Sequence, residues 1–186
     1  MKPGCKHVTT GFRDKIPVNY LKTRRISDRN QYIAQQIFTP GQMETLNTIT
    51  IQAVVYATAE KIWEYYTAPE HIIRWNHASD DWHTTRAEND LKPGGEFHSR
   101  MEARDGSAGF DFWGTYTAVR TNEFIAYTMG DGRNATVSFT ATGDKTRIEI
   151  AFDPENSNPL EMQRDGWQAI LDNFKTYAEA KVHENV

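Results

Sequence analysis

Four side chains able to ligate a metal, His77, Asp80, Asp81 and His83, fall close together, but their spacing matches neither a zinc pattern nor a calcium loop. No metal is expected there, and the residues read as a solvated loop. Glu96, His98, Arg100 and Glu102 recur at every second position, so on a strand they share one face while Phe97, Ser99 and Met101 share the other. With the apolar set turned inward, the charged set forms a ladder facing solvent rather than a general acid and base. Lys92-Pro93-Gly94-Gly95 lacks the spacing of a phosphate loop and reads as a tight turn. Ser107 and Ser138 sit in no nucleophile motif, and the single cysteine, Cys5, lies far from the rest. No catalytic residue and no cofactor is therefore expected. An enzyme would have to turn an ionisable group such as His98 or Asp111 inward, against the alternation.

The elements that must position these residues follow from periodicity. Residues 160–181 carry Trp167, Ile170, Leu171, Phe174 and Ala178 on one helical face, with charged and polar residues around the remainder. Pro159 suits the first turn of that helix and Asn158 its N-cap. Burying four large side chains at about 1.5–3 kcal/mol each demands a broad apolar surface, which in this chain has to be a sheet. Strands are predicted over 47–55, 82–87, 95–103, 108–119, 124–129, 135–141 and 146–152, with turn signals between them. Gly114 inside the fourth predicts a bulge or a close backbone approach. Two short helices are predicted after the first strand, over 59–66, capped by Thr58, and over 69–75, opened by Pro69. The fold class is thus α+β: a curved antiparallel sheet of about seven strands with a long C-terminal helix packed in its concave face.

Charge divides the chain unevenly. Residues 1–42 hold eight Lys or Arg against two acids, within a chain of net charge -4. A basic, mobile N-terminal extension is expected up to about Met43, with Ser27 capping one short helix over 28–38, and the folded domain over 43–186. Met43 reads as a usable start. The acidic domain argues against nucleic acid as a partner. No apolar run is long enough for a membrane span, and no secretory leader is apparent, so the expected setting is cytoplasmic, as a monomer or homodimer.

Several segments together resemble a known family. Residues 58–67 (Thr-Ala-Glu-Lys-Ile-Trp-Glu-Tyr-Tyr-Thr), Pro69-Glu70 followed by Trp75, Leu91 to Phe97, Gly114-Thr115-Tyr116, and Gly166 to Phe174 are similar in content and order to the START-like, helix-grip SRPBCC superfamily. Within it the chain resembles the branch named for homologues of the heat-shock ATPase activator. The resemblance spans roughly residues 48–181 and implies a helix-grip fold that is often hollow between helix and sheet.

By side-chain direction, Trp63, Trp75, Phe97, Met101, Phe110, Phe112, Tyr116, Tyr127, Met129, Phe139, Trp167, Ile170, Leu171 and Phe174 face the space between helix and sheet. Each could simply fill the core; the resemblance favours a lining. Such pockets typically measure about 300–1,000 Å³. Three readings stand. The first is binding of a small apolar or aromatic molecule, with Tyr116 and Tyr127 orienting its polar end and Trp75 with residues 76–82 at the mouth. The second is an interaction module for a chaperone ATPase, as the branch name implies. The third is a cyclase-like or hydrolytic enzyme using the same space.

Overall fold

The computed structural model describes residues 48–184. The basic leader, its short helix and the boundary near Met43 lie outside those residues. The elements are β1 (Ile49–Val55), α1 (Ala59–Thr67), α2 (Pro69–Trp75), β2 (Trp82–Asn89), β3 (Glu96–Ala103), β4 (Gly109–Arg120), β5 (Phe124–Met129), β6 (Asn134–Thr142), β7 (Lys145–Phe152) and α3 (Leu160–Glu184). The strands form one antiparallel sheet in the order β1-β7-β6-β5-β4-β3-β2. Every step from β2 to β7 joins neighbours through a short turn. The step from β1 to β2 instead crosses from one edge of the sheet to the other, and α1 and α2 make that crossing.

Strict alternation in β1, with Ile49, Ile51, Ala53 and Val55 buried and the intervening residues exposed, fixes its register against β7. α3 runs beside this edge strand and satisfies one of its backbone groups and one just past its end. Gln168 Nε2 donates to the Gln52 carbonyl at 3.3 Å, and the Tyr56 N–H donates to Glu179 Oε1 at 3.0 Å. An edge that would otherwise invite pairing with another strand is thereby partly covered.

The start of α3 differs from expectation. Asn158 does not cap α3: the first helical bond runs from the Gln163 N–H to the Pro159 carbonyl at 3.1 Å, which puts Pro159 in the cap position. Asn158 is instead held by Glu155, whose Oε1 accepts from both its backbone N–H and its Nδ2. The buried Gln163 closes this loop, donating to the carbonyls of Glu155 and Asn158 and accepting from the Glu155 N–H. At Gly114 the sheet shows a close approach rather than a bulge. A Cβ there would sit 2.5 Å from the Thr128 carbonyl oxygen and 2.8 Å from the Phe97 ring. The register shift of β4 against β5 falls later, between Tyr116 and Ala118.

The solid part of the core lies where α1 and the middle of α3 meet β6 and β7, while α2 packs on β2. Ile62, Phe139, Ile148 and Phe174 are sealed or nearly so. Tyr66 packs edge-on against both Phe139 and Phe174, and Trp75 edge-on against Phe174, with ring centroids 5.0–5.3 Å apart.

Candidate functional site: a cavity under the long helix

Towards β2 to β5 the packing opens, because the residues that point inward there are smaller or leave room beside them. In the register of β3 against β4, Phe97 faces Gly114, Ser99 faces Phe112 and Met101 faces Phe110. Ser99 thus stands where a large side chain would close the interior, whereas the space at Gly114 is taken by the Phe97 ring. The result is a cavity of about 210 Å³ roofed by Trp167, Ile170 and Leu171 of α3 and floored by Ile125, Tyr127, Val137 and Ile150. Trp167 is fixed from two sides, stacked on Phe152 at 4.1 Å and edge-on to Phe112 at 6.0 Å. Of the lining residues Glu88 and Phe110 are exposed, and Ile72, Asn76, Trp167 and Ile170 are among those half-buried, so the cavity is open to solvent.

Ten of the fourteen residues predicted to face this space line it: Trp75, Phe97, Met101, Phe110, Phe112, Tyr116, Tyr127, Trp167, Ile170 and Leu171. Trp63, Met129, Phe139 and Phe174 do not. Phe139 and Phe174 belong to the solid core, Trp63 sets its ring edge against Phe139 at 5.5 Å, and Met129 is buried opposite Gly114. They share the inward face with the true lining, but α1 covers that end. The mouth is also displaced from the expected one. Trp75 is a buried wall, its indole N–H donating to the Tyr65 carbonyl at 3.0 Å, and of residues 76–82 only Asn76 reaches the cavity.

The polar groups inside are hydroxyls and amides. Tyr116 Oη donates to Asn89 Oδ1 at 2.7 Å, and Asn89 Nδ2 in turn donates to the Thr67 carbonyl at 2.6 Å. Tyr66, Tyr127 and Ser99 also line the cavity, and their hydroxyls make no hydrogen bond among the described residues. Burial pushes the phenols of Tyr66, Tyr116 and Tyr127 well above the usual range; Tyr116 further disfavours ionisation of Tyr66, and both of them that of Tyr127. All three are neutral at ordinary pH. Tyr66, Asn89 and Ser99 were not singled out in the sequence. Tyr66 lies on the helical face shared with Ile62 and Trp63, and Ser99 on the inward strand face with Phe97 and Met101, but nothing in a single sequence marks Asn89 as reaching the interior.

The ionisable residues weighed for chemistry lie elsewhere. His98, Arg100, Glu102 and Asp111 occupy the opposite face of the sheet, where Asp111 lies 3.5 Å from His98 Nε2 and 3.4 Å from Arg100, and Arg100 Nε meets Glu102 at 3.0 Å. Of the four residues considered for a metal, His77 contacts Asn173, His83 contacts Arg104 and Asp81 accepts from Ser79. Among the described residues no three His, Cys, Asp or Glu side chains converge.

The profile of the family described as Activator of Hsp90 ATPase homolog 1-like protein matches residues 56–179, more than half of the chain. The chain belongs to this family. The solution structure of an AHSA1-like protein from Aeromonas hydrophila is 45% identical, covers 72% of this chain and 93% of its own, and superposes with a TM-score of 0.69. A protein of known solution structure from Cytophaga hutchinsonii is 52% identical, with 74% and 95% covered and a TM-score of 0.64. A crystal structure from Chromobacterium violaceum, at 21% identity and a TM-score of 0.65, shares the fold. No curated protein matches the chain. Family membership and the seven-stranded sheet that grips α3 agree on a helix-grip, START-like architecture. Among the described residues no helix is long and apolar enough to cross a membrane.

Proposed function

We propose that this chain binds a small apolar or aromatic molecule in the cavity between α3 and the sheet. The observation that carries the reading is the hollow itself: about 210 Å³ remains open beneath Trp167 in an otherwise well-packed domain. Its lining is aromatic and aliphatic with a few hydroxyls, the composition of small-molecule sites. Trp75 and Trp167 are both lining residues and report occupancy directly. Titration of tryptophan fluorescence with apolar and aromatic compounds, alongside thermal melts, tests the proposal. Binding is expected to raise Tm and to disappear in Ser99→Leu, which fills the void from its floor. No response to any compound would remove the carrier reading.

An activator role towards a chaperone ATPase is supported by the family description. It needs no cavity, so Ser99→Leu would leave ATPase stimulation intact while abolishing ligand binding.

A further inference from the structure

The cavity limits what can enter it by size, charge and hydrogen bonding. An apolar cavity of about 150 Å³ in a protein interior accepts benzene. At about 210 Å³, this one takes a single ring with a short substituent and excludes a long acyl chain or a fused polycycle.

Its charge is equally restrictive. Among the described residues that line it there is no Lys, Arg or His, and the one carboxylate, Glu88, is paired with Arg86 at 3.0 Å and faces solvent. An anionic ligand would lose its hydration and gain no counter-charge.

The hydrogen-bonding groups left over are hydroxyls, each with a proton to donate. Among the described residues the one sealed side-chain nitrogen or oxygen without a partner is His98 Nδ1. The Tyr66 and Tyr127 hydroxyls therefore keep accessible surface, and Tyr127 is only 8% exposed, so that surface belongs to the cavity. Tyr116 has spent its proton on Asn89. The hydroxyls of Tyr66, Tyr127 and Ser99 remain, and the two phenols, the stronger donors, are held neutral by burial. A carbonyl oxygen, with two lone pairs and no proton of its own, accepts from both.

Resting on the cavity reading above, we propose that the ligand is a neutral, single-ring aromatic molecule bearing one carbonyl group, with the ring under Trp167 and the carbonyl oxygen at Tyr66 and Tyr127. Acetophenone, ethylbenzene and benzoate are matched probes for carbonyl, apolar and anionic substituents. Naphthyl methyl ketone and palmitate probe size. Dissociation constants follow from tryptophan fluorescence and calorimetry on the full chain. Acetophenone is expected to bind about tenfold more tightly than ethylbenzene or benzoate, and Tyr127→Phe or Tyr66→Phe to erase the margin over ethylbenzene while leaving ethylbenzene itself unchanged. Equal binding of ethylbenzene, a margin that survives in both variants, or tighter binding of naphthyl methyl ketone or palmitate would overturn this ligand class and leave cavity binding standing. Failure of all five to bind would overturn both.

Discussion

Tyr116 and Asn89 meet inside the cavity wall, the phenol donating to Asn89 Oδ1 at 2.7 Å, and Asn89 uses its amide to hold the Thr67 carbonyl at the end of α1. One side chain from the second edge of the sheet thus ties β4 to the helical crossover. Replacing Asn89 with Leu would strand a buried phenol and a backbone carbonyl together, at a cost of about 2–4 kcal/mol. Asn89→Asp retains the acceptor and loses the donor, so it is expected to cost less. Urea unfolding of the two variants checks the order.

Phe174 and Trp167 occupy the same helical face two turns apart, yet one is sealed and the other is part of a cavity roof. Phe174→Ala is expected to destabilise the domain by about 3–5 kcal/mol. Trp167→Ala opens an existing hollow further, so its larger effect falls on ligand affinity. Comparing urea midpoints with ligand titrations for the pair separates core from site.

Gly114 has no room for a methyl group, because the nearest atom to an added Cβ is a backbone oxygen at 2.5 Å. Gly114→Ala must push β4 away from β5 or displace the Phe97 ring, at a cost of about 1–3 kcal/mol. The Phe97 displacement also narrows the cavity. Reduced ligand affinity with native circular dichroism is the expected outcome.

Burial raises the phenols of Tyr66, Tyr116 and Tyr127 above their ordinary value, which in the unfolded chain is about 10. Groups raised on folding stabilise fully below the unfolded value and lose that contribution as pH climbs towards the folded one, since the unfolded chain releases its protons first. Stability is therefore expected to be level in this respect up to about pH 9 and to fall above about pH 10. Phenolate absorbance from these three residues should appear together with unfolding. Titration of all three in the native state near the ordinary value would contradict the buried placement.

His98 and Asp111 lie on the far side of the sheet from the cavity, 3.5 Å apart, His98 half-buried and Asp111 exposed. His98→Gln and Asp111→Asn are expected to leave ligand affinity unchanged and stability within about 0.5 kcal/mol. A large change in affinity in either variant would revive an acid or base in the site.

Period and punctuation in the sequence determined the elements. The alternation Ile49, Ile51, Ala53, Val55 and the helical face Trp167, Ile170, Leu171, Phe174, Ala178 each declare one apolar side, and Gly143-Asp144 declares a hairpin, because these signals are local and repeat over short spans. Side-chain direction was legible for the same reason, which is why ten expected lining residues reach the cavity. Tertiary structure alone decided where the inward face is filled and where it is hollow. Phe139 and Phe112 both point inward from strands, yet only Phe112 meets open space, because α1 packs over β6 and β7 and fills the space above Phe139, while Phe112 faces the roof of α3. Tyr66, Asn89 and Ser99 became site residues through that long-range packing, and no local pattern around them records which distant element comes to cover them.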